Sequence, residues 1–274
     1  MPTFKKFLKN PQIIIGGSIV LILVIMAIFA PIIAPLDPLS VNVPARLNPP
    51  SADNWLGTDA LGRDVFSRLI FGTRISLMIG VLASVFGAVV GVSMGIVSGY
   101  YGKWIDSIIM RFCDILLAFP GILLALAIIT ILGAGTLNTI IAVSIFALPI
   151  FARIARGQTM QLKKAEYIDA IKTAGASDLR ILVHHILPNI LSPITVQMTL
   201  YVASAIVTAA SLSFLGLGTQ QPTPEWGTML ADGREFLLQA PHLVLYPGLS
   251  ILITVLGINL LGDGLRDALR PRGR

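Results

Sequence analysis

Long runs of apolar residues, separated by shorter polar segments, extend through most of this chain. A helix needs about 20 consecutive apolar residues to cross a bilayer. Six stretches reach that length, near residues 12–34, 75–99, 113–133, 136–157, 190–215 and 243–264. The pattern therefore predicts an all-α polytopic membrane protein with six transmembrane helices.

The composition agrees with this prediction. Of the 274 residues, 55% are hydrophobic and 12% are charged, whereas an ordinary soluble domain has about 25% charged residues. The first apolar stretch is too long for a signal peptide and has no small-residue cleavage site, so we expect it to be retained as a span. The single cysteine, Cys113, excludes an internal disulfide and a cysteine-based zinc site.

The distribution of basic residues predicts the orientation in the membrane. With the N-terminus inside, fifteen of the 20 Lys and Arg residues fall on the cytoplasmic side and five outside. This asymmetry predicts cytoplasmic termini, external segments at 35–72 and 216–242, and a cytoplasmic segment at 158–189. Topology accounts for the net charge of +6. No basic aromatic patch points to nucleic acid.

The first span is followed by residues 35–55, which are rich in Pro and Asn and predict an extended external linker. The second span carries glycines at a spacing of four, a period at which helix backbones approach closely in lipid. This stripe of glycines has two possible roles. It allows close helix packing, or it forms a surface along which helices slide or which lines a pathway. Its members are Gly87, Gly91, Gly95 and Gly99.

Prolines and one acid interrupt the later spans. Pro120 and Pro149 each remove a backbone hydrogen bond and predict kinks in the third and fourth spans. Asp114 lies near the start of the third span, where an acid at the membrane is a candidate functional residue. The alternative, which we favour, is a salt bridge with Arg111, three residues earlier.

Residues 158–189 form a charged segment, interrupted by a glycine and a proline, between two apolar stretches. Ile168 and Ile171 share one face of a predicted amphipathic helix. Gly175 is suited to the left-handed position that ends such a helix, and Ser177 to the N-cap of a second. A following proline predicts the end of that second helix. The layout predicts docking into a groove on a soluble partner, whereas the alternative is an ordinary charged loop.

These residues resemble the EAA loop of permease subunits of binding-protein-dependent ABC importers. The family pattern is Glu-Ala-Ala, three residues, Gly, nine residues, Ile-x-Leu-Pro. Asp169 replaces Glu, Ile171 replaces the second Ala, and His185 takes the place of the first Ile, while Gly175 and Pro188 are retained. Two further stretches, LGTDALGRDVFSRLIFGTRISL at 56–77 and SFLGLGTQQPTPEWGTMLADGRE at 213–235, resemble the C-type permeases of the dipeptide, oligopeptide and nickel branch.

The resemblance implies a type I ABC importer transmembrane fold, in which a first helix packs against a five-helix core. It implies an N-terminal segment at 1–55, an external segment at 56–73, a core at 74–264 and a basic cytoplasmic tail at 265–274. It also implies an ATPase-coupling loop formed by Asp169, Ala170, Gly175, Ala176, Ser177, Asp178, Leu179 and Pro188. We expect Asp169 near the end of the first helix, where an acid is poorly placed for the helix dipole and indicates a basic group on the partner.

The resemblance further implies partners: a second, homologous permease, two ABC ATPases and an extracytoplasmic solute-binding protein. This chain has no Walker A pattern, and Gly99 to Lys103 have the wrong spacing. ATP and Mg are therefore expected on the ATPases, and this chain is not expected to be an enzyme. A phosphate cradle at GTDALGRD and a Ser-His-Asp hydrolase are disfavoured, the latter because no GxSxG elbow is present.

No metal site is expected either, because His184 and His185 are adjacent and diverge by about 100° on a helix. His242 lies on the predicted outer side. A nickel chelate could still be cargo without being ligated by this chain.

The external segment 213–235 bends at Gly216 and Gly218, and a short helix is expected from about Glu225. Two interpretations stay open: an interfacial helix resting on lipid, or an external gate that touches the binding protein. The residues of that gate would be Glu225, Trp226, Met229 and Leu230.

The sequence thus predicts a multi-pass permease subunit in a bacterial or archaeal cytoplasmic membrane, forming half of a pathway for di- or oligopeptides. A nickel-chelate permease is the alternative within the family. A structural membrane protein or receptor without transport is the alternative of a different class.

Overall fold

The computed structural model describes residues 10–269. Its α-helices are α1 (Pro11–Ile28), α2 (Ala30–Ile33), α3 (Val65–Tyr101), α4 (Lys103–Leu117), α5 (Gly121–Leu132), α6 (Thr136–Leu162), α7 (Glu166–Thr173), α8 (Asp178–Arg180), α9 (Leu187–Phe214), α10 (Trp226–Gly233) and α11 (His242–Leu269). Short 3₁₀ turns lie at Val43–Ala45 and Arg234–Phe236, and a π-helical segment at Ile181–Ile186 joins α8 to α9. Within residues 10–269 there is no β-strand, only an isolated bridge between Thr58 and Asp64. The basic tail predicted at 265–274 lies partly outside the described residues.

Five helices are long and apolar enough to cross a membrane: α1, α3, α6, the continuous helix from α8 through α9, and α11. The remaining predicted span, 113–133, is a pair of helices, α4 and α5, with a bend of 93° between them. Counting this pair as one span gives six. The all-α, multi-span prediction is confirmed; the predicted number of six spans holds only if α4 and α5 together cross the membrane, and otherwise the number is five.

The break between α4 and α5 lies at Pro120, where the sequence predicts a kink. α4 ends at Leu117, and Pro120 is the N-cap residue of α5. Proline has no N–H and restricts the residue before it, so α4 does not continue through this point. A Cβ at Gly121 would lie 2.5 Å from the ring of Phe146, which places the bend directly against α6. In contrast, α6 runs through Pro149 without interruption.

The longest single helix, α3, has 37 residues and is about 55 Å long, well beyond the roughly 30 Å hydrocarbon core. It begins at Val65 rather than near residue 75. The cause is an N-cap: the Asp64 side chain accepts a hydrogen bond of 2.7 Å from the Ser67 N–H. Part of the segment predicted at 56–73 is therefore the start of α3.

The backbones of α3 and α6 approach closely along the glycine stripe. A Cβ at Gly87 would lie 2.3 Å from the Ala147 Cβ, and a Cβ at Gly95 would lie 2.3 Å from the Ala152 carbonyl oxygen. The other two glycines of the stripe face carbonyl oxygens of α6 at 2.6 and 2.8 Å. Because no side chain fits at these positions, the packing role predicted for the stripe is confirmed.

The first helix packs against the last. A Cβ at Gly16 of α1 would lie 2.4 Å from the backbone nitrogen of Leu261, and a Cβ at Gly257 of α11 would lie 2.4 Å from the Ile19 side chain. This close contact confirms the expectation that the first helix joins the core of the other spans.

The connection between α2 and α3 is non-helical apart from one 3₁₀ turn, as predicted for 35–55. Backbone hydrogen bonds hold it to the turn that precedes α3: Leu47 N–H donates to the Asp59 carbonyl at 3.0 Å, and Thr58 N–H donates to the Asn48 carbonyl at 3.1 Å. The linker is thus packed onto the start of α3.

Candidate functional site

The predicted docking segment, 158–189, contains two helices joined by a glycine turn. At the end of α7, the Gly175 N–H donates to the Lys172 carbonyl at 3.0 Å, and the Ala176 N–H donates to the Ile171 carbonyl at 3.3 Å. This pair of bonds is a Schellman motif, which requires a left-handed residue. Gly175 has a φ of 88°, so its predicted left-handed conformation is confirmed.

The second helix of the segment begins as predicted. Ser177 is its N-cap residue, and its hydroxyl accepts a hydrogen bond of 3.4 Å from the Arg180 N–H. Behind the turn, Ile168 is buried in the main hydrophobic core, and Ile171 packs against that core. The two isoleucines therefore fix α7 to the body of the protein, as its amphipathic pattern predicts.

The prediction that Pro188 ends this second helix is wrong. The helix continues from Asp178 to Phe214, a length of 37 residues. In a regular α-helix the proline ring would clash with the carbonyl four residues earlier, but the wider π-helical turn before it provides room. The side-chain amide of Asn189 donates to the His185 carbonyl at 2.6 Å. One continuous helix therefore connects the docking segment to the apolar spans.

The prediction for Asp169 also needs correction. Asp169 lies in the first turn of α7, which begins at Glu166, and not near the end of the helix. Negative charge at a helix N-terminus interacts favourably with the helix dipole. Asp169 therefore stabilises α7 locally, and its position alone does not indicate a basic group on a partner.

Most of the predicted coupling residues lie on the surface. Ala176 and Asp178 are half-buried, whereas the exposed set comprises Asp169, Ala170, Gly175, Ser177, Leu179 and Pro188. Leu179, a large apolar residue at the start of α8, is 71% exposed. Leu179 lines an apolar groove together with Val97 and Val183. The segment thus presents an exposed apolar surface, which is compatible with docking.

The docking segment is connected to the end of α3 by three side chains that sequence reasoning did not bring together. The Tyr100 hydroxyl donates to Asp178 Oδ1 at 2.6 Å. Lys163 Nζ donates to the Tyr100 carbonyl at 2.5 Å and lies 5.4 Å from the centroid of its ring. These residues are far apart in the chain and share no motif, so only the fold shows that they meet.

A second polar cluster joins α3, α4 and α6 nearby. The Arg156 guanidinium donates to both carboxylate oxygens of Asp106, at 2.5 and 2.6 Å, and the Ser98 hydroxyl donates to the same carboxylate at 2.5 Å. Such bidentate pairs fix geometry as well as charge. Sequence reasoning did not find this cluster.

The expected pairing of Asp114 with Arg111 is wrong. Asp114 Oδ1 accepts from Arg153 Nη2 at 2.6 Å, across the α4–α6 contact. Both side chains are more than half exposed, so in water this pair would contribute little to stability.

At the other end of α3, the short helix expected from about Glu225 is present as α10, and Glu225 is its N-cap residue. Its carboxylate oxygens accept hydrogen bonds from the N–H groups of Gly227 and Thr228, at 2.9 and 3.0 Å, and from the Ser76 hydroxyl at 3.1 Å. Glu225 is only 1% exposed. Burial raises the pKa of this carboxyl group, although the hydrogen bonds oppose the shift.

The neighbouring side chains are also enclosed. Trp226 is fully buried, and its indole N–H donates to the Leu69 carbonyl at 3.1 Å. Met229 is buried, and Leu230 is half-buried. Glu225 and Trp226 therefore anchor α10 to α3. A contact between this segment and a binding protein stays a prediction.

Within residues 10–269, no three His, Cys, Asp or Glu side chains are grouped to hold a metal ion. His184 and His185 lie on the π-helical segment. His242 is buried, with Nε2 3.5 Å from the Thr58 carbonyl.

The fold itself defines a class of protein. It matches a chain of the MetNI methionine ABC transporter in inward-facing conformations, with a TM-score of 0.59 and 19% identity, covering 75% of this chain and 98% of that chain. At this identity the likeness concerns the fold alone. The protein therefore shares the fold of that chain.

Comparison with family models gives the family. Residues 87–274 match the binding-protein-dependent transport system inner membrane component, and residues 3–50 match the N-terminal transmembrane domain of oligopeptide transport permease C. The chain belongs to this family of inner-membrane permeases, as a C-type subunit of a binding-protein-dependent ABC importer.

Two relatives are similar over nearly the whole chain. The dipeptide transport system permease protein DppC of Alkalihalophilus pseudofirmus is 49% identical, with 98% of this chain and 88% of the relative covered. The glutathione transport system permease protein GsiD of Pectobacterium atrosepticum is 48% identical, with 98% and 90% covered.

Proposed function

We propose that this chain forms half of the translocation pathway of an ATP-driven importer, with a second, homologous permease forming the other half. ATP and Mg would bind to two cytoplasmic ATPases, and an extracytoplasmic binding protein would deliver the substrate. The observation that carries the proposal is the unbroken helix from Asp178 to Phe214. It begins in the exposed docking segment and enters the core between the other spans.

This geometry supports coupling by movement of rigid elements. The ATPases would contact the exposed surface around Leu179, at the start of that helix. Because the helix is about 55 Å long, a displacement there reaches the opposite side of a bilayer. Tyr100, at the end of α3, would transmit the same displacement to that helix, since its hydroxyl donates a hydrogen bond to Asp178.

The proposed cargo is short peptides. Support comes from the two relatives, which are named for dipeptide and glutathione transport. Selectivity would rest largely on the binding protein, because such importers receive substrate from it. The proposed orientation places the docking segment and both termini in the cytoplasm and α10 outside, as the basic residues predict.

Reconstitution tests this proposal. The permease pair, its ATPases and its binding protein would be placed in proteoliposomes, and uptake of a dipeptide, glutathione and a nickel chelate would be compared. We expect uptake of a peptide only with ATP and binding protein, and no ATP hydrolysis by this chain alone. ATP-dependent uptake of the nickel chelate alone would replace the proposed cargo. An absence of ATP-dependent uptake for all three would contradict the proposal.

A further inference from the structure

A cavity of about 460 Å³ lies beside the first turn of α3, at the end of that helix opposite the docking segment. Its size is within the range of small-molecule sites. Charged side chains and apolar side chains both line it. The residues that matter are Asp59, Arg63, Arg68, Asp232, Met229 and Leu243.

The charges at the back of the cavity are unevenly paired. Asp59 Oδ2 accepts from Arg63 Nε at 2.6 Å and lies 3.5 Å from Arg68 Nε. The other Asp59 oxygen accepts from the backbone N–H groups of Leu61 and Arg63. One carboxylate, with both oxygens in use, therefore faces two guanidinium groups. Arg68 is 1% exposed, and within residues 10–269 its Nη2 has no hydrogen-bond acceptor.

At the front of the cavity, Arg63 and Asp232 are close but do not form a direct hydrogen bond. Arg63 Nη2 lies 3.8 Å from Asp232 Oδ2, beyond hydrogen-bond distance. Gln221 spans the two residues, accepting from Arg63 Nη1 at 3.1 Å and donating to Asp232 Oδ2. In the described part of the chain, no hydrogen bond uses Arg63 Nη2 or Asp232 Oδ1. A cationic hydrogen-bond donor and an anionic acceptor are thus adjacent, and within residues 10–269 each has an atom that is free to bind a ligand.

The environment favours a ligand that carries both charges. Burial raises the pKa of Asp232, so a cationic group beside this carboxylate would be stabilising. Asp59 and Asp232 together balance the charges of Arg63 and Arg68, so a ligand with one anionic and one cationic group can use Arg63 Nη2 and Asp232 Oδ1 without adding net charge. In an α-amino acid the ammonium and carboxylate groups are attached to the same carbon, so they can reach two neighbouring side chains together. Met229 and Leu243, both buried, supply an apolar surface for the rest of the ligand.

We propose that this cavity binds an α-amino acid head group, with the carboxylate on Arg63 and the ammonium on Asp232. Arg68 adds positive charge behind Arg63, and the ligand side chain rests on Met229 and Leu243. The head group belongs either to a free amino acid or to a γ-glutamyl peptide such as glutathione. The proposal depends on the proposed function only in that the ligand arrives from the outer side.

Binding to the purified permease complex in nanodiscs, without binding protein or ATP, tests the site. The probes are leucine, leucinamide, N-acetylleucine, glutathione and leucyl-leucine. We expect leucine or glutathione to bind at least tenfold more tightly than the dipeptide, whose charged termini are far apart. Leucine binding assigns a free amino acid, glutathione binding alone assigns a γ-glutamyl head group, and either supports the site. If leucine binds, leucinamide and N-acetylleucine should each bind with an affinity at least tenfold lower than that of leucine.

Three variants show which side chains are used. Arg63→Gln should weaken binding at least tenfold and remove the preference for leucine over leucinamide. Asp232→Asn, at a partly exposed position, should remove the preference for leucine over N-acetylleucine. Arg234→Gln is the control, because this exposed arginine lies over the Phe214 ring and not in the cavity; its affinities should stay within twofold of the parent.

Three results would overturn the site: no binding of leucine or glutathione at 10-fold the concentration used for uptake, equal binding of the dipeptide, or a full preference retained by Asp232→Asn. Peptide uptake measured in proteoliposomes separates the two proposals. Normal uptake with no binding here rejects the cavity site alone, whereas failed uptake with binding intact rejects the transport proposal alone.

Discussion

The Tyr100 hydroxyl and the Asp178 carboxylate are joined by a hydrogen bond of 2.6 Å, although the residues are 78 positions apart in the chain. Tyr100 lies at the end of α3, and Asp178 begins the helix that leads from the docking segment into the membrane. Lys163 Nζ binds the carbonyl of the same tyrosine. A displacement of the docking segment therefore acts on two long helices at once.

Gly175 provides a prediction about the docking turn. Its φ of 88° is strained for a residue with a side chain, and a valine there should cost about 1–2 kcal/mol. Apart from its chain neighbours, no residue has an atom within 4 Å of the position of its Cβ, so the effect comes from the backbone. We expect Gly175→Val to insert normally into membranes but to weaken ATPase association and peptide uptake together.

The matched control for this change is Gly175→Asn, because asparagine tolerates the left-handed conformation. Co-purification of the ATPases with each variant, together with uptake, provides the measurement. Equal association and uptake for the valine and asparagine variants would show that the segment is a solvated loop.

The close approach of α3 and α6 gives a second prediction. A methyl group at Gly95 would lie 2.3 Å from the Ala152 carbonyl oxygen, whereas one at Gly157 on α6 would have nothing within 4 Å apart from the neighbouring backbone of its own helix. We expect Gly95→Ala to lose about 1–3 kcal/mol of stability and Gly157→Ala to be nearly neutral. The apparent Tm of each variant in detergent checks this. Similar Tm values for both would mean that the helices separate easily at Gly95.

Glu225 gives a prediction about pH. Burial raises the pKa of its carboxyl group in the folded protein above the unfolded value of about 4.3. The folded state therefore binds this proton more tightly, and the stability from Glu225 is full below pH 4.3 and lost as pH rises through the folded pKa. We expect Glu225→Gln to reduce the fall in apparent Tm between pH 4.5 and neutral pH. If the apparent Tm changed with pH identically in the parent and the variant, the raised pKa of Glu225 would be contradicted.

Cysteine labelling in intact cells tests the orientation. Ser51, Leu238 and Gln161 are exposed, and the native Cys113 is buried. In a Cys113→Ala parent, an impermeant thiol reagent should label Ser51→Cys and Leu238→Cys but not Gln161→Cys. Labelling of Gln161→Cys with protection of the other two would reverse the orientation.

Local sequence signals predicted much of this structure. The spans follow from apolar length, the bend at Pro120 from the missing N–H, and the turn at Gly175 from the preference of glycine for left-handed backbone. Each of these depends on residues close together in the chain. The caps at Asp64 and Glu225 are equally local, although sequence reasoning predicted only the start of a helix near Glu225 and neither cap.

The errors have two physical causes. Helix boundaries depend on competing terms, so Asp169 was placed at the wrong end of α7, and Pro188 was taken as a stop where a π-helical turn accommodates it. Tertiary contacts leave no local pattern. The pairing of Asp114 with Arg153, like the contact between Tyr100 and Asp178, appears only when the helices are packed.

The central claim is that the docking segment transmits ATPase movement through Tyr100 and Asp178. Tyr100→Phe removes one hydrogen bond to a charged group, an interaction worth roughly 1.5–3 kcal/mol, and leaves the ring in place. Tyr101→Phe is the control, because Tyr101 is exposed and its hydroxyl makes no hydrogen bond within residues 10–269. The decisive measurement is peptide uptake per ATP hydrolysed in proteoliposomes. We predict a fall of at least threefold for Tyr100→Phe and none for Tyr101→Phe; an unchanged ratio in Tyr100→Phe would contradict the claim.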